Sequence, residues 1–165
     1  MNQLEKIIET LARRTSQMGQ VALVVVMLVI VTNVILRIPW KPLPGTVEMV
    51  ELLGAMLLGL GIAYCQQMKS HIYVSILVDR FAPRTQALID TVTGLLALAV
   101  TTLLARQIFL YGSRMLDRGY TTGHLQIPLY PFIYLVSFGF LILCLVLLKD
   151  LLKAVLLLVK GKEPS

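Results

Sequence analysis

The sequence predicts an all-α integral membrane protein with four transmembrane helices, additional interfacial amphipathic segments and both termini in the cytoplasm. Apolar residues make up 57% of the chain, charged residues only 15%, and the mean hydropathy is +0.80. Four long apolar stretches are separated by polar segments, and basic residues collect at alternate ends of those stretches. A soluble domain of 165 residues cannot bury so much apolar surface, whereas a bilayer removes the need to bury it.

The first predicted span covers about 16–37. Residues 15–36 carry no charge, and from Val21 to Leu36 they are almost all Val, Ile, Leu and Met. This stretch exceeds the roughly 20 residues that cross a bilayer. No small-residue cleavage site follows it, so we expect an uncleaved anchor.

Three further spans are predicted, at about 47–68, 86–112 and 127–159. Thr46 is expected to cap the second span. Pro128 is expected in the first turn of the fourth span, where its missing N–H costs little. As one helix the fourth span would be about 50 Å long, so it either tilts or extends beyond the membrane.

Two shorter segments, about 3–14 and 71–81, are amphipathic. In the first, apolar residues recur at helical spacing: Leu4, Ile7, Ile8 and Leu11. The second mixes apolar residues with His71 and Arg80 and is too short to cross a bilayer. We expect both segments to lie in the membrane interface.

The distribution of basic residues predicts the orientation. One set of helix ends holds ten of them: Lys6, Arg13, Arg14, Lys69, Arg80, Arg84, Lys149, Lys153, Lys160 and Lys162. The opposite ends hold four: Arg37, Lys41, Arg114 and Arg118. The positive-inside rule places the richer side, and with it both termini, in the cytoplasm. Its basic groups suit anionic phospholipid headgroups. The sequence has no basic run interleaved with aromatic residues, so nucleic acid is not expected as a partner.

The apolar stretches offer little chemistry. A membrane enzyme or proton-coupled carrier needs ionisable groups deep in the bilayer, and the central parts of the first, second and fourth spans have none. His71 and His124 fall in connecting segments, and Cys65 and Cys144 have no CxxC spacing. We therefore expect no enzymatic activity, no metal and no cofactor in this chain.

Arg106 is the ionisable residue within the third span. It follows Asp90 by sixteen positions, about 24 Å along a helix, which predicts a place near the outer interface. Two interpretations stay open. The side chain either snorkels to the headgroups or forms an ion pair with a partner subunit.

Glu48 and Glu51 open the second span on one helical face, where the helix dipole favours acidic groups whatever their function. Small residues continue that face at i+4 spacing: Ala55, Gly59 and Ala63. A second stripe consists of Ala97, Thr101 and Ala105. Such stripes allow close helix packing in lipid, either within the chain or against a partner.

Several short motifs together resemble one family. Residues Asn33–Arg37 resemble its N-V-hydrophobic-hydrophobic-R ending of the first span, and Glu48 and Gly61 match its glutamate and glycine thirteen residues apart. His71–Pro83 resembles its H-I-x-V…D-R-L-P segment, Leu125–Pro128 its L-x-I/L-P, and Gly139 its glycine in the last helix. The chain thus resembles, over roughly 20–145, the small membrane (DctQ-type) subunit of tripartite ATP-independent periplasmic (TRAP) transporters. Ser75 and Val47 depart from the family's frequent acidic residues.

The resemblance implies an accessory subunit of a sodium-coupled, binding-protein-dependent secondary transporter in the bacterial inner membrane. A large membrane subunit would carry the substrate and sodium sites and move its transport part like an elevator. A periplasmic binding protein would deliver an organic acid, such as a carboxylate. The alternative is a small membrane anchor of a respiratory or other enzyme complex. A haem-bearing anchor would need histidines within its spans. A thiol oxidase would need paired cysteines, and a multidrug exporter would need a glutamate in its first helix.

We therefore predict three groups of contact residues. Candidates for the large-subunit interface are Glu48, Glu51, Ala55, Gly59, Ala63 and Arg106. Candidates for docking the binding protein are Arg37, Lys41, Arg114, Asp117 and Arg118, for which a solvated loop is the other interpretation. Candidates for lipid or interface contact are His71, Arg80 and Arg84.

Overall fold

The computed structural model describes residues 2–38, 44–68 and 83–160, and they fold into four α-helices. These are α1 (Asn2–Arg37), α2 (Thr46–Gln67), α3 (Pro83–Asp117) and α4 (Tyr130–Lys160). Each contains a segment long and apolar enough to cross a membrane. The prediction of four all-helical spans is confirmed.

α1 is one unbroken helix where the sequence separated an interfacial segment from a span. At 1.5 Å per residue it is about 54 Å long, well beyond the roughly 30 Å hydrocarbon core. Ala12 is fully buried, and Ile8 packs against the cluster to which Ala12 belongs. The first turns of α1 therefore extend the bundle, and their place in the membrane interface stays a prediction.

The second helix was predicted to start at about 47 and the fourth at about 127; they start one residue earlier and three residues later, respectively. α2 begins at Thr46, and its N-cap is Gly45 in the left-handed region (φ 79°) without a side-chain cap bond. Pro128 precedes α4 and pairs with Thr121 in an isolated bridge. Pro131 lies in the first turn instead, where the missing N–H is equally harmless. The predicted interfacial segment 71–81 lies outside the described residues.

The four helices pack as an open row in the order α3, α4, α2, α1, with a minor contact between α1 and α4. The main apolar cluster joins α1, α2 and α4 near the end of the row that holds the start of α1 and the end of α4, which we call the terminal end. It consists of Ala12, Ala63, Ile142, Leu143, Val146 and Leu147. The opposite, loop end carries the described connection between α3 and α4.

Because the row is open, each helix keeps broad apolar surface exposed. Examples are Leu28 on α1 (61% exposed), Leu58 on α2 (72%) and Leu103 on α3 (61%). Apolar side chains in this arrangement are covered by lipid or by other membrane helices, since water would make their exposure costly.

Candidate functional site

Glu48 holds the loop between α3 and α4 against the start of α2. Its Oε1 accepts the backbone N–H of His124 at 2.8 Å, and its Oε2 accepts that of Leu125 at 3.1 Å. A carboxylate that accepts two backbone N–H groups is well satisfied. Glu48, predicted at the large-subunit interface, thus has a role within its own chain.

The loop has a defined backbone that presents those N–H groups. α3 ends in a Schellman motif, with Gly119 at φ 63° and the N–H of Tyr120 bonded to the carbonyl of Met115 at 3.2 Å. Further along, Thr122 N–H donates to the Ile127 carbonyl at 3.0 Å, and Ile127 N–H donates to Thr122 Oγ1 at 3.1 Å. The loop is therefore ordered by its own hydrogen bonds before Glu48 adds two more.

Gly45 contacts the same loop through Leu125. A Cβ at Gly45 would clash with Cγ and Cδ1 of that leucine, and φ 79° would itself strain an L-residue. The Glu48 carboxylate and the Leu125–Gly45 contact together fix the loop end of α2. We call this arrangement of Gly45, Glu48, His124 and Leu125 the loop clasp.

The small-residue stripe of α2 divides between two environments. Gly59 and Ala63 are buried; a Cβ on Gly139 of α4 would meet the Gly59 carbonyl group, its carbon at 2.6 Å. This is close backbone packing of the kind that small residues permit in lipid. Glu51 and Ala55 are exposed. Gly59 and Ala63 are thus occupied inside the chain, whereas Glu51 and Ala55 remain on its surface.

The second stripe packs inside the chain. Thr101 and Ala105 are buried to 8% and 3% exposure, and Ala97 borders the apolar cluster. Ser137 of α4, 1% exposed, donates its hydroxyl to the Ala105 carbonyl at 3.3 Å. Thr101 donates to the Ala97 carbonyl at 2.7 Å. Hydroxyls bonded to carbonyls in this way are satisfied polar groups between helices.

Arg106 is exposed on α3. Of the predicted docking residues, Arg37, Arg114, Asp117 and Arg118 are exposed at the loop end, and Lys41 lies outside the described residues. The Arg114 Nε donates to the Leu110 carbonyl at 3.2 Å. Of the predicted lipid contacts, His71 and Arg80 lie outside the described residues, and the side chain of Arg84 is likewise not described.

A polar groove lies between the first half of α1 and the end of α2, at the terminal end. Its lining includes Arg13, Arg14, Gln17 and Tyr64. Nearby, Gln67 Oε1 is buried and has no hydrogen-bond partner. Within residues 2–38, 44–68 and 83–160, no cluster of three or more His, Cys, Asp and Glu side chains could hold a metal ion.

Sequence reasoning missed the loop clasp, Ser137 and Pro131. Gly119 and Gly123 mark the loop as a turn, but neither identifies Glu48 as its partner. Both residues of the Gly59–Gly139 contact could be singled out from the sequence, Gly59 from the small-residue stripe and Gly139 from the family resemblance, but their pairing could not.

Four membrane-crossing helices in an open row define a multi-pass helical membrane protein. The chain matches the model of the family described as tripartite ATP-independent periplasmic transporters, DctQ component, over residues 26–157. The chain therefore belongs to that family and is a small membrane component of a TRAP transporter. Comparison with curated proteins gave no match, and neither did comparison with solved structures. Members of the family work with a large membrane subunit and a periplasmic binding protein.

Proposed function

We propose that this chain is the accessory, scaffold-forming small subunit of a sodium-coupled, binding-protein-dependent TRAP transporter that imports an organic acid. It acts in the bacterial inner membrane with both termini in the cytoplasm. Its partners are the large membrane subunit, the periplasmic binding protein and phospholipids. The substrate and sodium bind the large subunit, and this chain needs no cofactor.

The open row of helices carries this proposal. α3 packs on α4, α4 on α2 and α2 on α1, which makes an open wall of helices in which α1, α2 and α4 also share one apolar cluster. The polar side chains buried in the described residues are hydroxyls: Thr15, Ser16, Thr46, Thr101 and Ser137. A wall with broad apolar faces suits a stationary support for a partner that moves through the bilayer.

Close backbone contacts make that wall stiff. Gly59 and Gly139 bring α2 and α4 together without intervening side chains, and the loop clasp fixes the loop end of α2. An elevator-type carrier needs a part that does not move with the transported domain. Rigid packing of interlocked helices supports this role, because well-packed interiors resist deformation.

The charge distribution supports the orientation. Among the described residues, the terminal end carries more basic residues than the loop end, including Arg13 and Arg14 beside the polar groove. Anionic headgroups of the cytoplasmic leaflet attract such groups. The loop end then faces the periplasm, where Arg114, Asp117 and Arg118 are available to the binding protein. Exposed Glu51 and Ala55 are available to the large subunit.

The test is reconstitution. The tagged chain, purified from its host in mild detergent, should bring down a large multi-helix membrane subunit identified by mass spectrometry. Vesicles containing both subunits and the binding protein should take up an organic acid when a sodium gradient is imposed, and lose uptake when any component is left out. Uptake by vesicles that contain this chain alone would overturn the proposal.

A further inference from the structure

Arg106 lies near the middle of the membrane-crossing part of the helix row. The carbonyl of its neighbour Ala105 accepts the hydroxyl of Ser137, two residues before Gly139, and Gly139 meets Gly59 of α2. Arg106 is therefore level with the region of Gly59. That residue lies about 20 Å from the start of α2 and about 12 Å from its end, at 1.5 Å per residue.

The position along α3 agrees with this depth. Asp117, the last residue of α3, follows Arg106 by about 16 Å of helix. The hydrocarbon core is about 30 Å thick. Both ends of the candidate span Thr91–Asp117 are therefore farther from Arg106 than an arginine side chain is long, and its place relative to the outer interface stays a prediction.

The side chain also emerges from an apolar surface. Ala105 and Thr101 face α4, and Arg106 follows Ala105 by about 100° around the helix. It therefore projects from the flank of α3, between the side that faces α4 and the opposite, outer side. On the outer side its neighbours are leucines: Leu96 (61% exposed), Leu103 (61%) and Leu110 (37%). Toward α4 its neighbour is Thr102, whose hydroxyl lies 3.7 Å from the sulfur of Cys144 in α4. Within the described ranges, no acidic side chain forms an ion pair with Arg106.

A guanidinium in this place is costly when it faces lipid. Insertion scales put an arginine at the centre of a transmembrane helix at roughly 2.5–3.5 kcal/mol. Intramembrane charges accordingly pair with one another or face a polar surface. α3 packs within the described chain against α4, so its outer side is free to receive another helix.

We propose that this side of α3 and the adjoining flank, defined by Leu96, Leu103, Arg106 and Leu110, receive a transmembrane helix of the large subunit. An aspartate or glutamate near the middle of that helix forms an ion pair with Arg106. The inference rests on the proposed function, because it needs the large subunit as a partner. The flanking leucines pack on the partner helix and exclude water from the pair, which strengthens the attraction between the two charges.

The first experiment compares recovery of the large subunit with tagged full-length variants expressed in the native host. Arg106→Gln and Arg106→Glu should recover at least roughly tenfold less large subunit than the wild type, because breaking a buried charge pair is costly. Arg106→Lys should keep most of the recovery, since it keeps the charge. Arg114→Gln is the matched control and should recover the wild-type amount. The thermal unfolding midpoint of purified Arg106→Gln should equal that of the wild-type chain, since the described chain does not pair with this arginine.

A second experiment identifies the partner group. A photocrosslinking amino acid at Leu103 should attach the chain to one transmembrane peptide of the large subunit. Exchanging the acidic residue of that peptide for lysine should restore recovery with Arg106→Glu and not with the wild type. Crosslinks to lipid alone would show that the arginine snorkels, and would overturn the inference.

The two levels of failure are distinguishable. A wild-type chain that recovers no large subunit contradicts the proposed function and this inference with it. A wild-type chain that recovers the large subunit, while Arg106→Gln recovers the same amount, contradicts this inference alone.

Discussion

The backbone of Gly139 in α4 lies directly against the backbone of Gly59 in α2. A Cβ added to Gly139 would lie 2.6 Å from the Gly59 carbonyl carbon and 3.1 Å from the Leu60 nitrogen. A Cβ added to Gly59 would lie 2.9 Å from the Val136 Cα. Neither position can give way by a side-chain rotation, because the obstructing atoms belong to the main chain.

This contact predicts a sharp contrast between two glycines of the row. Gly139→Ala should destabilise the chain by about 1–3 kcal/mol, as overpacked cores generally do, and lower its thermal unfolding midpoint in detergent. Gly61→Ala is the control, because a Cβ there meets nothing within 4 Å. It should leave stability unchanged or raise it by up to about 1 kcal/mol. Equal midpoints for the two variants would contradict the close crossing.

The loop clasp predicts an effect of Glu48→Ala that is local to the distant loop. The N–H groups of His124 and Leu125 lose their acceptors, so their hydrogen exchange should become faster. Hydrogen–deuterium exchange of the purified chain, read by mass spectrometry on peptides from 118–129, measures this. Glu51→Ala removes an exposed carboxylate from the same helix and should leave that exchange as it is. Unaltered protection in Glu48→Ala would exclude the clasp as a stabilising contact.

The packing of α3 on α4 predicts different tolerance at two alanines. Ala105 is 3% exposed and its carbonyl accepts Ser137, so Ala105→Leu should cost about 1–3 kcal/mol of stability. Ala99 is exposed on the same helix, and Ala99→Leu should cost almost nothing. Thermal unfolding of both variants in the same detergent makes the comparison. If Ala105→Leu unfolds at the wild-type midpoint, α3 does not pack on α4 through Ala105.

The exposed charges at the loop end predict a kinetic effect on transport. Replacing both Arg114 and Arg118 with glutamate should reduce uptake when the binding protein is limiting, because rim charges mainly set the association rate. Saturating binding protein should restore most of the uptake. Recovery of the large subunit with the variant is the control for assembly and should not change. Unchanged uptake at limiting binding protein would support the solvated-loop interpretation.

The sequence predicted the spans well because crossing a bilayer is a property of continuous stretches of about 20 residues. It could not predict which helices meet. The glycine stripes favour close packing, yet the same residues serve contacts within a chain and between chains. Thus Gly59 faces α4 while Ala55, one turn away, is exposed. Helix starts were missed for a local reason, since Pro128 and Pro131 both lie near the start of α4 and only one can be in its first turn.

The candidate site, too, could be predicted from the sequence only in part. Glu48 was selected from its place near a helix start, but the backbone N–H groups that donate to it lie 76 and 77 residues further along the chain. No periodicity links positions so far apart. Arg106 was selected from its charge, and only contacts among three helices show that it lies level with the region of Gly59.

That long separation has a consequence for biosynthesis. When α2 emerges from the ribosome, the backbone groups that Glu48 will bind have not been made. The carboxylate therefore has other hydrogen-bond partners until the segment around His124 has been synthesised. Insertion of α1 and α2 therefore proceeds without this bond, which can form only after residues 124 and 125 have been synthesised. The bond thus joins α2 to the loop between α3 and α4 only after both segments have been synthesised.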